Sequence, residues 1–97
     1  MTTTRQHKVS RLLQKELGTY FQKHASAFAG GKMISVTIVR ISPDLGVAKV
    51  YLSIFPGEKA DETVQAISDR AGLIRSEMGN ILRNQLRHIP EFVFFLD

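Results

Sequence analysis

Residues 34–55 constrain the fold more than any other part of the chain, because two β-branched runs of period two flank a segment built to turn. Ile34, Val36 and Ile38 alternate with Ser35, Thr37 and Val39, which places the first three on one face of a strand. The second strand, Val47 to Phe55, puts Ala48, Val50, Leu52 and Ile54 on one side and Lys49, Tyr51 and Ser53 on the other. Between them, Ser42-Pro43-Asp44-Leu45-Gly46 supplies turn chemistry, with Pro43 fixing φ and Gly46 free to take a positive one. The segment therefore reads as an antiparallel hairpin, ended by Phe55-Pro56-Gly57. In a chain of 97 residues it belongs to a single domain, and most apolar residues must serve one core.

The flanks are helical. Thr3 followed by Gln6 is a capping-box pattern, and Val9, Leu12, Leu13, Leu17, Tyr20 and Phe21 then recur at helical spacing. This first helix is expected to fade near His24, ahead of the Ala29-Gly30-Gly31 breaker. Beyond the hairpin, Val64, Ile67 and Ala71 form one inward stripe, and Ile74, Met78, Ile81, Leu82 and Leu86 form another. Gly72 stands between the two stripes, so a kink is expected there. Pro90 should end the second of these helices. Glu91 to Leu96 closes the chain as a strand, with Phe92 and Phe94 on one face and Val93 and Phe95 on the other; all three phenylalanines are expected in the core. The fold class is α+β, in the order α-β-β-α-α-β, without repeat or linker, as one domain over 1–97.

Charge is segregated along the chain. Residues 1–43 carry seven basic side chains and only Glu16 as an acid, a net +6; residues 44–69 sum to −3 and residues 70–97 to +1. An uneven surface of this kind suits an anionic polymer better than a small neutral ligand. Arg5, Lys8, Arg11 and Lys15 follow one another at three- and four-residue steps, which groups them on the side of the first helix opposite its leucines. A merely solvated helix face normally mixes signs, and this one does not. Arg75, Arg83 and Arg87 fall on four-residue steps through Gly79, a second expected basic side.

Conventional catalytic and metal chemistry finds little purchase. Zero cysteines exclude disulfides and thiolate zinc sites and fit a reducing, cytoplasmic setting. The N-terminus lacks an apolar stretch for a signal peptide, and no run approaches the roughly 18 apolar residues of a membrane span. His7, His24 and His88 sit on separate elements without ligand spacing. Gly30-Gly31-Lys32 lacks the leading glycine of a phosphate loop, and Met33 stands where Ser or Thr is required. Asp44 and Glu91 read as a turn residue and a strand start. No enzyme, cofactor, metal or small-molecule substrate is indicated; the basic surface remains, suited to RNA or, alternatively, to an acidic protein partner.

The element order with an interrupted helix pair is that of the type II KH fold, whose GxxG loop is missing. In its place stands Arg70-Ala71-Gly72-Leu73-Ile74-Arg75-Ser76. With Ile41-Ser42-Pro43-Asp44-Leu45, Ala48-Lys49-Val50-Tyr51-Leu52-Ser53 and Ile89-Pro90-Glu91-Phe92-Val93-Phe94, this resembles the ribosome-binding factor A family from about Arg5 to Asp97. The resemblance implies a three-stranded sheet with helices on one side and a helix–kink–helix at Gly72. It further implies a monomeric, non-enzymatic assembly factor that binds the immature small (30S) ribosomal subunit and assists maturation of 16S rRNA near its 5′ end. In that family the kink usually reads Ala-any-Gly, and Arg70 here adds a charge beside it. Family members commonly run on for a short tail past the position of Asp97. The RNA-binding residues expected on these grounds are Arg5, Lys8, Arg11, Lys15, Arg70, Gly72, Arg75, Arg83 and Arg87.

Overall fold

The computed structural model describes residues 4–97, with residues 25 and 27–29 described by backbone alone. Its elements are α1 (Thr4–Ala29), β1 (Met33–Ile41), β2 (Val47–Phe55), α2 (Ala60–Ser68), α3 (Ala71–Leu82) and β3 (Glu91–Leu96). The sheet has the order β1-β2-β3, with β1 and β2 antiparallel and β2 and β3 parallel. A parallel neighbour for β2 requires a crossover, and α2 and α3 supply it. The expected α+β architecture is therefore the one observed. The smallest principal extent, 19 Å, matches one helical layer on one sheet.

The core lies between these two layers. Leu13, Leu17 and Phe21 of α1, Ile67 of α2, Ile74 and Met78 of α3, and Val50 and Leu52 of the central strand are fully buried. Each such side chain contributes on the order of 1.5–3 kcal/mol through removal from water. Phe21 meets Phe94 edge-to-face at 5.9 Å, which ties α1 to the strand farthest from it in sequence. The hairpin turn is tied internally. The Ser42 hydroxyl donates to Asp44 Oδ1 at 2.7 Å and the Gly46 N–H donates to the same oxygen at 2.9 Å. Together these bonds hold the Asp44 carboxyl below its usual range, the hydroxyl contributing most.

Several local expectations are corrected. The first helix does not fade at His24 but continues to Ala29, since an alanine-rich stretch offers nothing to break it before Gly30 and Gly31 leave at φ 58° and 91°. The Thr3 capping box falls outside the described residues. In β1, strict alternation fails: the register shifts between Val36 and Ile38, so Val39 and Ile41 turn inward and Ile38 is 42% exposed. One extra residue in the ladder reverses every side chain beyond it. In the turn it is Leu45, at φ 61°, that takes the left-handed conformation rather than Gly46. α3 ends at Leu82, well short of Pro90, because the Leu82 carbonyl accepts from both the Gln85 and Leu86 N–H groups and closes a tight turn. That early release lets Pro90 bury itself and lets the Glu91 N–H reach the Gly46 carbonyl at 2.9 Å, starting β3. Ile81 and Phe95, expected inward, are 51% and 37% exposed.

Candidate nucleic-acid interface

The α1 stripe forms as periodicity requires. Val9, Leu13, Leu17, Tyr20 and Phe21 are buried against the sheet, while Lys8, Arg11 and Lys15 are exposed on the far side of the helix. Arg5 is exposed as well, but its four-residue step to Val9 sets it at the edge of the stripe. There it lines a cavity of about 280 Å³ together with Val9, Leu45, Arg87 and His88. Two side chains of α1 anchor it to β1. The Gln6 amide donates to the Ile41 carbonyl at 2.9 Å, and the Gln14 amide donates to the Thr37 carbonyl at 3.1 Å, beside the β1 irregularity. The bulge thus hands an unpaired carbonyl to the helix that carries the basic stripe.

The break between α2 and α3 falls at Asp69 and Arg70, two residues before Gly72. Arg70 is the N-cap of α3 with φ −109° and ψ 16°, outside the helical region, while Gly72 lies within α3. Its φ is not positive, and a Cβ built there meets nothing within 4 Å. The expectation of a kink centred on Gly72 is thereby corrected: the geometry is carried by Arg70, and Gly72 leaves the first helical turn bare. Among the described residues no side chain caps α3, and no acid stands in its first turn, whereas Gly72 and Leu73 are exposed. Uncapped first-turn N–H groups carry the positive end of the helix dipole and suit a phosphate. Beneath the junction, the Tyr20 hydroxyl donates to Glu77 and feels the charge of Arg70. Burial and then that bond push the Tyr20 pKa up to about 12.

The second expected basic side is taken apart by the early end of α3. Arg75 donates through Nε to the Ile89 carbonyl at 3.0 Å, Arg83 sits at the C-cap, and Arg87 lies past the helix. The three do not share one helix face. Arg87 instead joins Arg5 across more than eighty residues, with His88 beside them. Periodicity has no means of finding such a group, and only the meeting of the α1 start with the 85–90 loop creates it. Glu77 is hidden from periodicity for a similar reason: its role exists only once Tyr20 packs against it. Because Arg5 lies near Arg87 and Tyr20 near Glu77 and Arg70, α1 and the 70–88 segment run antiparallel. The basic groups therefore extend along about 22 Å, the length of fifteen helical residues.

Among the described residues there is no group of three His, Asp or Glu side chains placed to hold a metal, and no helix is long and apolar enough to cross a membrane.

Comparison with known proteins gives a consistent answer. The crystal structure of ribosome-binding factor A from Thermus thermophilus superposes with a TM-score of 0.75 over 94% of each chain, at 21% identity, a likeness of fold. In sequence, ribosome-binding factor A of Cytophaga hutchinsonii is 42% identical over 97 residues, spanning all of this chain and 73% of the relative. That of Flavobacterium johnsoniae is 42% identical over 98 residues, spanning all of this chain and 75% of the relative. The family model for ribosome-binding factor A matches residues 5–97. An α+β chain whose sheet, interrupted helix pair and residue pattern all agree with that family over this length belongs to the ribosome-binding factor A family.

Proposed function

We propose that this protein binds the immature small (30S) ribosomal subunit and assists maturation of 16S rRNA near its 5′ end, acting in the cytoplasm as a monomer without cofactor or catalytic step. The relatives named for ribosome binding supply the target. The observation that carries the RNA reading is the α2–α3 junction, an uncapped helix start with Arg70 at its N-cap and Gly72 bare in its first turn. Lys8, Arg11 and Lys15 along α1, and Arg5 with Arg87 at its start, add cations for neighbouring phosphates. Arg75 and Arg83 are proposed as flanking contacts. Such a surface acts by shape and charge, positioning on the sugar–phosphate backbone rather than reading bases.

Co-sedimentation with precursor small subunits tests this. Arg11→Glu with Lys15→Glu replaces exposed side chains and is expected to change stability by less than about 1 kcal/mol. Binding is expected to fall tenfold or more, since phosphate contacts are lost and repulsion is added. Leu13→Ala is the control, costing about 2–5 kcal/mol through its buried site and affecting binding only through unfolding. Wild-type co-sedimentation by the double variant at an unchanged melting temperature would overturn the α1 assignment. Competition by an acidic polypeptide as effective as rRNA would favour an adaptor for an acidic protein.

A further inference from the structure

The helices cover one face of the sheet and leave the other open. Across that open face the strand register aligns two rows. Ile38 pairs with Tyr51 and Tyr51 with Phe95; one step along, Arg40 pairs with Lys49 and Lys49 with Val93. The first row is apolar and aromatic. Ile38 and Phe95 are each exposed by more than a third, and the Tyr51 and Phe95 rings stack at 5.2 Å with 22° between their planes. The second row holds two cations and ends in the exposed Val93. Arg40 and Lys49 stand directly opposite one another on adjacent strands, an arrangement that repels. Neither forms an ion pair among the described residues. Depressions of about 350 Å³ and 210 Å³ lie against them, the larger lined also by Ile38, Tyr51 and Asp97.

A partly exposed aromatic pair beside two cations, with Asp97 as the one carboxylate lining the same depression, has the chemistry of a nucleobase platform with phosphate clamps. A second copy of the chain fits poorly, because a self-complementary contact on this face would bring Arg40 and Lys49 toward their own duplicates. An acidic polypeptide would satisfy the cations and leave the aromatic row unused. We infer that the open sheet face is a second RNA site, taking a single-stranded segment with bases stacked on Tyr51 and Phe95 and phosphates on Arg40 and Lys49. This site is separate from the helical surface and rests on the reading above only in that RNA is the polymer.

Binding of a short oligouridine to the full chain tests it, read by tyrosine emission, since the chain has two tyrosines and no tryptophan. Wild-type protein is expected to show quenching that Tyr51→Thr abolishes. Phe95→Thr and Lys49→Glu should each weaken binding at least about fivefold, the scale of one lost stacked base. Threonine keeps strand propensity, and circular dichroism checks that the variants fold. Arg11→Glu with Lys15→Glu should lose precursor subunits while the Tyr51-dependent quenching by oligouridine persists, whereas Tyr51→Thr should lose the quenching and keep precursor subunits, so the two surfaces fail independently. Where a variant melts early, the change in wild-type NMR shifts on titration decides: shifts confined to 38–51 and 93–95 support the site. Shifts confined to α1 and α3, binding of polyglutamate as tight as that of oligouridine, or a concentration-dependent dimer broken by Phe95→Thr would each overturn it.

Discussion

Tyr20 couples the first helix to the junction through a single hydroxyl. Its aromatic ring packs edge-on to Phe21 at 5.7 Å and stacks on His24 at 4.2 Å, while its oxygen donates to the half-buried Glu77. Ionisation would place a phenolate in a buried site beside a carboxylate, and the pKa accordingly rises from 10.0 to about 12. A folded-state pKa raised above the unfolded one contributes stability that is complete below pH 10 and is lost as pH climbs toward 12. In a Tyr51→Phe variant, tyrosinate absorbance should therefore titrate with a midpoint near 12 while the protein remains folded. Tyr20→Phe should lower stability at neutral pH by about 1–3 kcal/mol, because Glu77 loses its donor. The deficit should shrink through the alkaline window. A midpoint at the ordinary tyrosine value would show that the hydroxyl is solvated and free of Glu77.

At the scale of elements, the break between α2 and α3 and the bulge in β1 determine what the basic groups can reach. The α3 start faces outward because Ile74 and Met78 are held in the core, leaving Gly72 and Leu73 on the outer side of the first turn. Gly72→Asp separates folding from binding at this point. An acid in an uncapped first turn stabilises a helix by about 0.3–1 kcal/mol, and here it meets no steric obstacle. Thermal stability should hold or rise, whereas affinity for precursor subunits should drop several-fold because the carboxylate takes the place of the phosphate. Gly72→Val, by contrast, should fold nearly as wild type, since the glycine has helical angles and open space around it, and should weaken binding less than the aspartate because it adds bulk without charge. Retention of full binding by the aspartate variant would remove the α3 start from the RNA surface. The bulge acts less directly: by freeing the Thr37 carbonyl for Gln14, it sets the rotation of α1 and so the direction of its stripe.

Over the whole molecule, charge is the quantity that a titration reads. If the helical surface engages about five phosphates, log affinity for structured rRNA should fall with log salt at a slope of roughly −3 to −4, and a slope near zero would exclude a phosphate-based contact. The sequence alone determined the element order, the hairpin, the inward leucines of α1 and its cationic stripe, because each depends on neighbours within a few residues, where period and turn chemistry operate. Four features were illegible at that range. The register shift at Val36/Ile38 arises from a ladder partner and a helix side chain rather than from the strand's own pattern. The apolar spacing at Ile81 and Leu86 continues as though helical, yet the chain leaves α3 at Leu82 so that Pro90 can bury and β3 can pair. Arg5 meets Arg87, and Tyr51 meets Phe95, only because α1 and β3 are carried back across a shared core. Local periodicity encodes which face of an element is apolar; which elements meet is decided by the burial of those faces together, and the charged and aromatic groups on their outer sides are brought into proximity as a consequence.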